Sequence, residues 1–148
     1  MAKKTDKDRE RMIRLYENLG KFYEVSVSHL GGMYIKLAKA AELLRGRSKY
    51  YNQIIKIADE ISKLIDEGNN ALEINRVEVK SLKDGEPLNK FDYASAEKTA
   101  TSYGKVINSV CNRASNVLSK SHGDREKLVS DREKPVSGRK ELVSDGNL

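Results

Sequence analysis

The densest cluster of groups able to do chemistry in this sequence is Arg45-Gly46-Arg47-Ser48-Lys49-Tyr50-Tyr51, which holds three cations and two phenols. Such cations neutralise phosphate oxygens or carboxylates, and an exposed phenol ring stacks on a nucleobase. A second set, Lys98, Lys105, Arg113 and Lys120, recurs at steps of seven or eight, which lays the charges along one stripe of a helix. Residues 93 to 121 contain those four bases and a single acid, Glu97. Arg45, Arg47, Lys49, Tyr50, Lys98, Lys105, Arg113 and Lys120 are therefore the candidate binding residues, for nucleic acid or for an acidic protein partner. The competing reading is a solvated helix face whose tyrosines bury part of their rings.

Other constellations reduce to ordinary side chains. Ser26 and His29 share a helical face, but a nucleophile also requires an oriented base and an oxyanion site. Gly20-Lys21 is followed by Phe22 and lacks the upstream glycine of a phosphate-binding loop. His29 and His122 have no partner at ligand spacing, and no HExxH, EF-hand or paired-cysteine pattern occurs. The doublets Asp59-Glu60 and Asp66-Glu67 read as solvated helix charges. Cys111 is the single cysteine; it cannot form an internal disulfide, and it reads as a small buried side chain. No catalytic, metal or cofactor site is expected, and the chain reads as a non-enzyme.

Composition agrees with that reading. Charged residues make up 34% of the 148, Trp is absent, and Phe and Pro occur twice each, a balance that suits long exposed helices over a thick core. The net charge of +6 permits binding to nucleic acid or anionic lipid without requiring it. Residues 122 to 148 balance six bases against six acids, so the excess positive charge belongs to the preceding part. The charged N-terminus is not followed by the apolar run of a signal peptide, and no apolar stretch approaches the roughly 20 residues of a membrane span. A soluble, cytoplasmic protein is expected, with membrane docking the weakest option.

Three apolar seams position these groups. Met12, Tyr16, Leu19, Tyr23, Ser26, Leu30, Met33, Leu37, Ala40 and Leu44 recur at steps of three and four, predicting a helix from Asp8 to Arg45. The pair Gly31-Gly32 costs it roughly 2 kcal/mol relative to alanine, so a kink or split is expected there. A second seam, Tyr51, Ile54, Ala58, Ile61, Ile65, Leu72, Val79 and Leu82, predicts a helix from Ser48 to Leu82, interrupted only by Gly68 and Asn75. Gly46 is placed to end the first helix and Ser48 to cap the second. Val25–Ser28 and Val77–Val79 also alternate as strands do, so strands over 25–28 or 72–82 compete with the helical reading; helical seams flank the first segment and Leu72, Val79 and Leu82 keep the phase of the second, which favours helix. Lys83-Asp84-Gly85-Glu86-Pro87 is a firm break. Asp92 then caps a third helix carrying Ala100, Tyr103, Ile107, Val110, Ala114 and Val117, which should end between Ser121 and Gly123.

The fold class is thus all-α. Residues 1–7 form a flexible N-terminus. Residues 8–121 form an elongated antiparallel three-helix bundle, coiled-coil-like and about 50 Å long, with the Arg45–Tyr51 tip near the end of the third helix. Residues 122–148 carry three related heptapeptides beginning at Arg125, Arg132 and Arg139. Pro135 and Gly138 argue against a coiled coil, so this repeat tail reads as disordered or as extended and docked on a partner. Small seam residues (Ala40, Ala58, Ala100, Ala114) limit the area one rod can bury, which points to a homo-oligomer. The expected function is a non-catalytic structural or interaction protein, a rod that self-assembles or scaffolds another protein. The alternative is an accessory nucleic-acid-binding module using the basic tip and stripe. Helical rods serve many unrelated roles, so the fold alone does not choose between them.

Overall fold

The computed structural model describes residues 2–45 and 47–129, and no strand occurs among them. Three long helices, α1 (Ala2–Leu44), α2 (Tyr51–Lys83) and α3 (Tyr93–Lys120), span 43, 33 and 28 residues. A short 3-10 turn, Leu88–Lys90, lies between α2 and α3. The strand readings of 25–28 and 72–82 fail, because both segments are helical and their alternating valines do not share a face: Val25 is exposed whereas Val27 packs on the core, and Val77 is exposed whereas Val79 is half-buried.

Contacts along the helices fix their directions. Arg9 meets Leu82, Tyr16 meets Asn75, and Val27 lies against Gly68, so α1 and α2 run oppositely. Leu64 meets Tyr103 and Glu60 meets Arg113, so α3 runs against α2. Tyr16–Tyr93 and Tyr23–Tyr103 ring contacts place α3 alongside α1. Leu30, Leu37 and Leu44 of α1, Ile54 and Ile61 of α2 and Val117 of α3 are fully or almost fully buried between them.

Several boundaries differ from expectation. The helix α1 begins at Ala2 and not near Asp8, so residues 2–7 are its first turns. It also continues through Gly31-Gly32 as one element. The residue that takes the left-handed conformation at its end is Arg45, with φ 41; Gly46 lies outside the described residues. Ser48 is not the cap of α2. That position falls to Tyr50, without a side-chain bond, and the Ser48 hydroxyl instead accepts from the Tyr50 N–H at 3.1 Å.

At the other end of α2 the Glu86 N–H donates to the Ser81 carbonyl and the Gly85 N–H to the Leu82 carbonyl. This paired closure requires a left-handed residue, and Gly85 supplies it with φ 96. Arg9 completes the closure: its Nη1 donates to the carbonyls of Leu82 and Glu86, both at 2.8 Å. Asp92 caps α3 as expected, its carboxylate accepting from the Ser95 N–H at 3.0 Å.

The two seam interruptions are contacts. Gly68 is buried and leaves room for the Tyr103 hydroxyl, which donates to the Leu64 carbonyl at 2.5 Å. Asn75 is buried over Gly20, and its Nδ2 donates to the Tyr16 carbonyl at 2.7 Å. Half-buried Ala58 and Ile65 yield the centre of the interface to Ile57 and Leu64, a rotation of the seam set by the third helix.

The chain does not become extended after α3. Ser121 keeps right-handed dihedrals, and residues 122–129 are helical, a segment called α4 here. Arg125 holds the join, its Nη2 donating to the Leu118 carbonyl at 2.6 Å, and Leu128 packs against the core. The first heptapeptide is therefore helical as far as Val129, while the second and third lie outside the described residues.

Candidate functional site

The α1–α2 connection sits against the end of α3 and the start of α4, since the Ser48 hydroxyl donates to Asp124 Oδ2 at 2.7 Å. The tip and the end of the stripe are thus neighbours, as the topology required. The contact that joins them also brings a carboxylate into the cationic cluster. At the tip, Arg45 folds back on its own helix: its Nη2 lies 3.5 Å from Glu42, and its Nε donates to the Glu42 carbonyl. Arg47 and Lys49 are exposed. Lys49 Nζ lies 5.3 Å from the centre of the Tyr50 ring, a cation–π placement worth about 0.5–1 kcal/mol at an exposed site. Tyr50 and Tyr51 are half-buried and pack on the core cluster, so the ring expected to stack on a base is partly engaged within the protein.

Along α3, Lys98, Lys105 and Lys120 are exposed as the stripe required. Arg113 is not free. Its guanidinium grips Glu60 of α2 with Nη2–Oε1 2.7 Å and Nη1–Oε2 3.0 Å, the parallel two-bond geometry favoured by arginine and carboxylate. The Arg113 hydrogen bonds hold the Glu60 carboxyl below the usual carboxylate range. With Arg113 committed, neighbouring free cations of the stripe stand about 10 Å apart or more along the axis. That exceeds the screening length of about 8 Å at physiological salt.

Ser26 is buried, His29 is exposed, and no hydrogen bond joins them among the described residues. Burial pushes the Cys111 thiol up, away from the reactive thiolate. No group of three or more His, Cys, Asp or Glu side chains is placed to hold a metal ion among the described residues.

Two features were missed by pattern reading. One is a groove of about 680 Å³ between α1 and α2, floored by Gly20, Leu72 and Asn75 and walled by Lys21, Arg76 and Lys83. The other is a pocket of about 410 Å³ where α1 and α2 meet the start of α3, lined by Tyr16, Glu78, Asp92 and Ser95 with Leu19 and Ile74. Tyr16 is fully buried, yet its hydroxyl has no hydrogen-bond partner among the described residues. Its pKa is pushed up to about 12 by burial first, then by Glu78, Asp92 and Tyr93. The one sequence signal for this pocket was a tyrosine at a seam position four residues before Gly20. No family model, curated protein or solved structure matches this chain.

Proposed function

We propose that this chain is a non-catalytic assembly or scaffolding protein: an elongated antiparallel three-helix bundle, extended by its C-terminal repeat, that self-associates or holds another protein in the cytoplasm. The observation that carries the proposal is the set of large apolar side chains turned away from the core. Val25, Ile74, Val77 and Ile35 are 69%, 61%, 56% and 54% exposed. Ile74 and Val77 are one turn apart on α2, whereas Phe22, one turn before Val25 on α1, lays its ring against Gly104 of α3. Adjacent apolar groups at this exposure favour a covering surface, whereas a scattered single one would not. No helix among the described residues is long and apolar enough to cross a membrane.

The test is mass in solution across a wide concentration range. Assembly predicts a mass above that of one chain, which returns toward one chain in an Ile74→Lys/Val77→Lys variant of unchanged helicity. A single-chain mass at every concentration, with no protein partner recovered, would sink the proposal. The nucleic-acid alternative retains the adjacency of tip and stripe in its favour. The Arg113–Glu60 pair and the engaged Tyr50 ring weaken it, and it requires an affinity for polyanions that collapses with added salt.

A further inference from the structure

A hollow of about 390 Å³ lies between α1 and α3, and both helices contribute its polar groups. Ser26 and His29, one turn apart on α1, line it together with Lys105 and Asn108, one turn apart on α3. Ser26 is only 8% exposed, yet its hydroxyl makes no hydrogen bond among the described residues. Unlike the Tyr16 hydroxyl, it keeps open surface toward its pocket. Lys105 is exposed, and no ion pair holds it among the described residues. No carboxylate of the described residues lines this pocket. The Thr101 hydroxyl already donates to the Glu97 carbonyl at 3.0 Å. The remaining wall is apolar: the Phe22 ring lies on Gly104, its Cζ 3.2 Å from where a Cβ would stand, with buried Ile107 beside it.

An ammonium, an amide and a hydroxyl on one side, hydrocarbon on the other and no acid between them are the complement of a small organic anion. A ligand carboxylate can accept from the Lys105 ammonium, the Asn108 amide and the Ser26 hydroxyl while its apolar body covers Phe22 and Ile107. An organic cation would meet Lys105 with nothing to offset it. A phosphate dianion would carry more charge than the one permanent cation balances. The volume falls within the usual range for small-molecule sites. We propose that this pocket binds a small organic carboxylate with a compact apolar body, with Lys105 as the charge partner and Ser26 and Asn108 as the orienting donors. The shared face of Ser26 and His29 then serves recognition, His29 adding a ring N–H at the border of the site. This goes beyond the assembly reading and does not depend on it, because the pocket is built within one chain. Of the four apolar groups most exposed in that reading only Val25 borders the pocket; Ile35, Ile74 and Val77 lie outside it.

The test uses the full chain, isotope-labelled, as the parent and as the Ile74→Lys/Val77→Lys variant. Benzoate is the probe, and benzamide and benzylammonium at matched ionic strength are the controls. Saturable amide shifts at Ser26, His29, Gly104 and Asn108 are expected in both proteins with benzoate alone, whatever mass either shows in solution. Lys105→Gln, at an exposed position, should weaken binding about ten-fold or more, the loss of a charge-assisted hydrogen bond. Ser26→Ala should weaken it by a smaller factor while leaving the fold intact, and it serves alone if Lys105→Gln does not fold. No saturable shift at those residues, an equal response to benzamide or benzylammonium, or unchanged affinity in the folded variants would overturn the proposal. Shifts seen in the parent and lost in the Ile74→Lys/Val77→Lys protein would put the benzoate between chains and overturn it equally.

Discussion

Replacing glycine by alanine should change the sign of its effect along this chain, according to what faces each Cα. In a helix interior alanine is favoured over glycine by about 1 kcal/mol wherever the methyl group finds space. At Gly31 and Gly32 an added Cβ meets nothing within 4 Å, so Gly31→Ala/Gly32→Ala should stabilise the protein by about 2 kcal/mol. For a chain of this length that corresponds to a rise in Tm of roughly 6–8 °C. At Gly68 the same methyl would overlap the Tyr103 hydroxyl and lie 2.5 Å from Val27 Cγ2. Neither neighbour is a flexible chain end: one terminates a rigid ring bonded to the Leu64 carbonyl, and the other branches directly from Cβ. Overpacking costs about 1–3 kcal/mol and losing the Tyr103 bond about 1 kcal/mol more. Against the propensity gain, the net is a loss of about 1–3 kcal/mol. Urea denaturation followed by far-ultraviolet circular dichroism reads both variants. A Gly68→Ala protein as stable as the parent, or a Gly31→Ala/Gly32→Ala protein measurably weaker, would refute the packing described for α1, α2 and α3.

The two buried tyrosines should respond oppositely to loss of their hydroxyls. Tyr16→Phe removes an unpartnered group and should raise stability by about 1 kcal/mol, whereas Tyr103→Phe breaks a bond to Leu64 and should lower it by about 1 kcal/mol; paired urea titrations check both signs. Tyr16 and Tyr103 are raised from 10.0 to about 12, chiefly by burial. Their contribution is therefore complete below pH 10 and is lost as the pH rises through about 12. Unfolding free energies that stay flat across that window would contradict it. Asn75→Ala abolishes the amide bond to the Tyr16 carbonyl and leaves a cavity over Gly20, so a loss of about 2 kcal/mol is expected by the same denaturation assay. The Arg113–Glu60 pair is partly exposed, at 47% and 33%, so a double-mutant cycle with Arg113→Ala and Glu60→Ala should return a coupling below about 1 kcal/mol. That coupling should be present above the ordinary carboxylate range and disappear in acid, since Arg113 depresses the Glu60 pKa.

The helical fold class, the breaks near Gly46 and Lys83–Pro87, the Asp92 cap and the nearness of the Arg45–Tyr51 tip to the end of α3 were all legible in the residues alone. Each depends on a local pattern: a three-four apolar step, a turn residue, a capping carboxylate, or a connection too short to do anything but reverse the chain. Even there, local reading placed the start of α1 at Asp8, whereas the helix begins at Ala2, and it could not show that Arg9 bonds the carbonyls of Leu82 and Glu86, more than seventy residues away. The same reading ended the helical chain at α3, because nothing in the first heptapeptide announces that Leu128 will reach the core.

Tertiary packing decided which residues were flaws and which were contacts. Gly31, Gly32 and Gly68 are the same residue in sequence, yet only Gly68 faces a tyrosine from another helix. Arg113 has the spacing of a free stripe cation and becomes a structural one because the rotation of α2 presents Glu60 to it. Tyr16 and Asn75, polar residues on greasy seams, gain their meaning from Gly20, Glu78 and the start of α3. The periodicity of apolar residues specifies that helices form and which side of each is buried, because those depend on neighbours a turn away. The rotation and register of one helix against another are set by side chains distant in sequence, and on those two quantities every partner of a surface charge or buried hydroxyl depends.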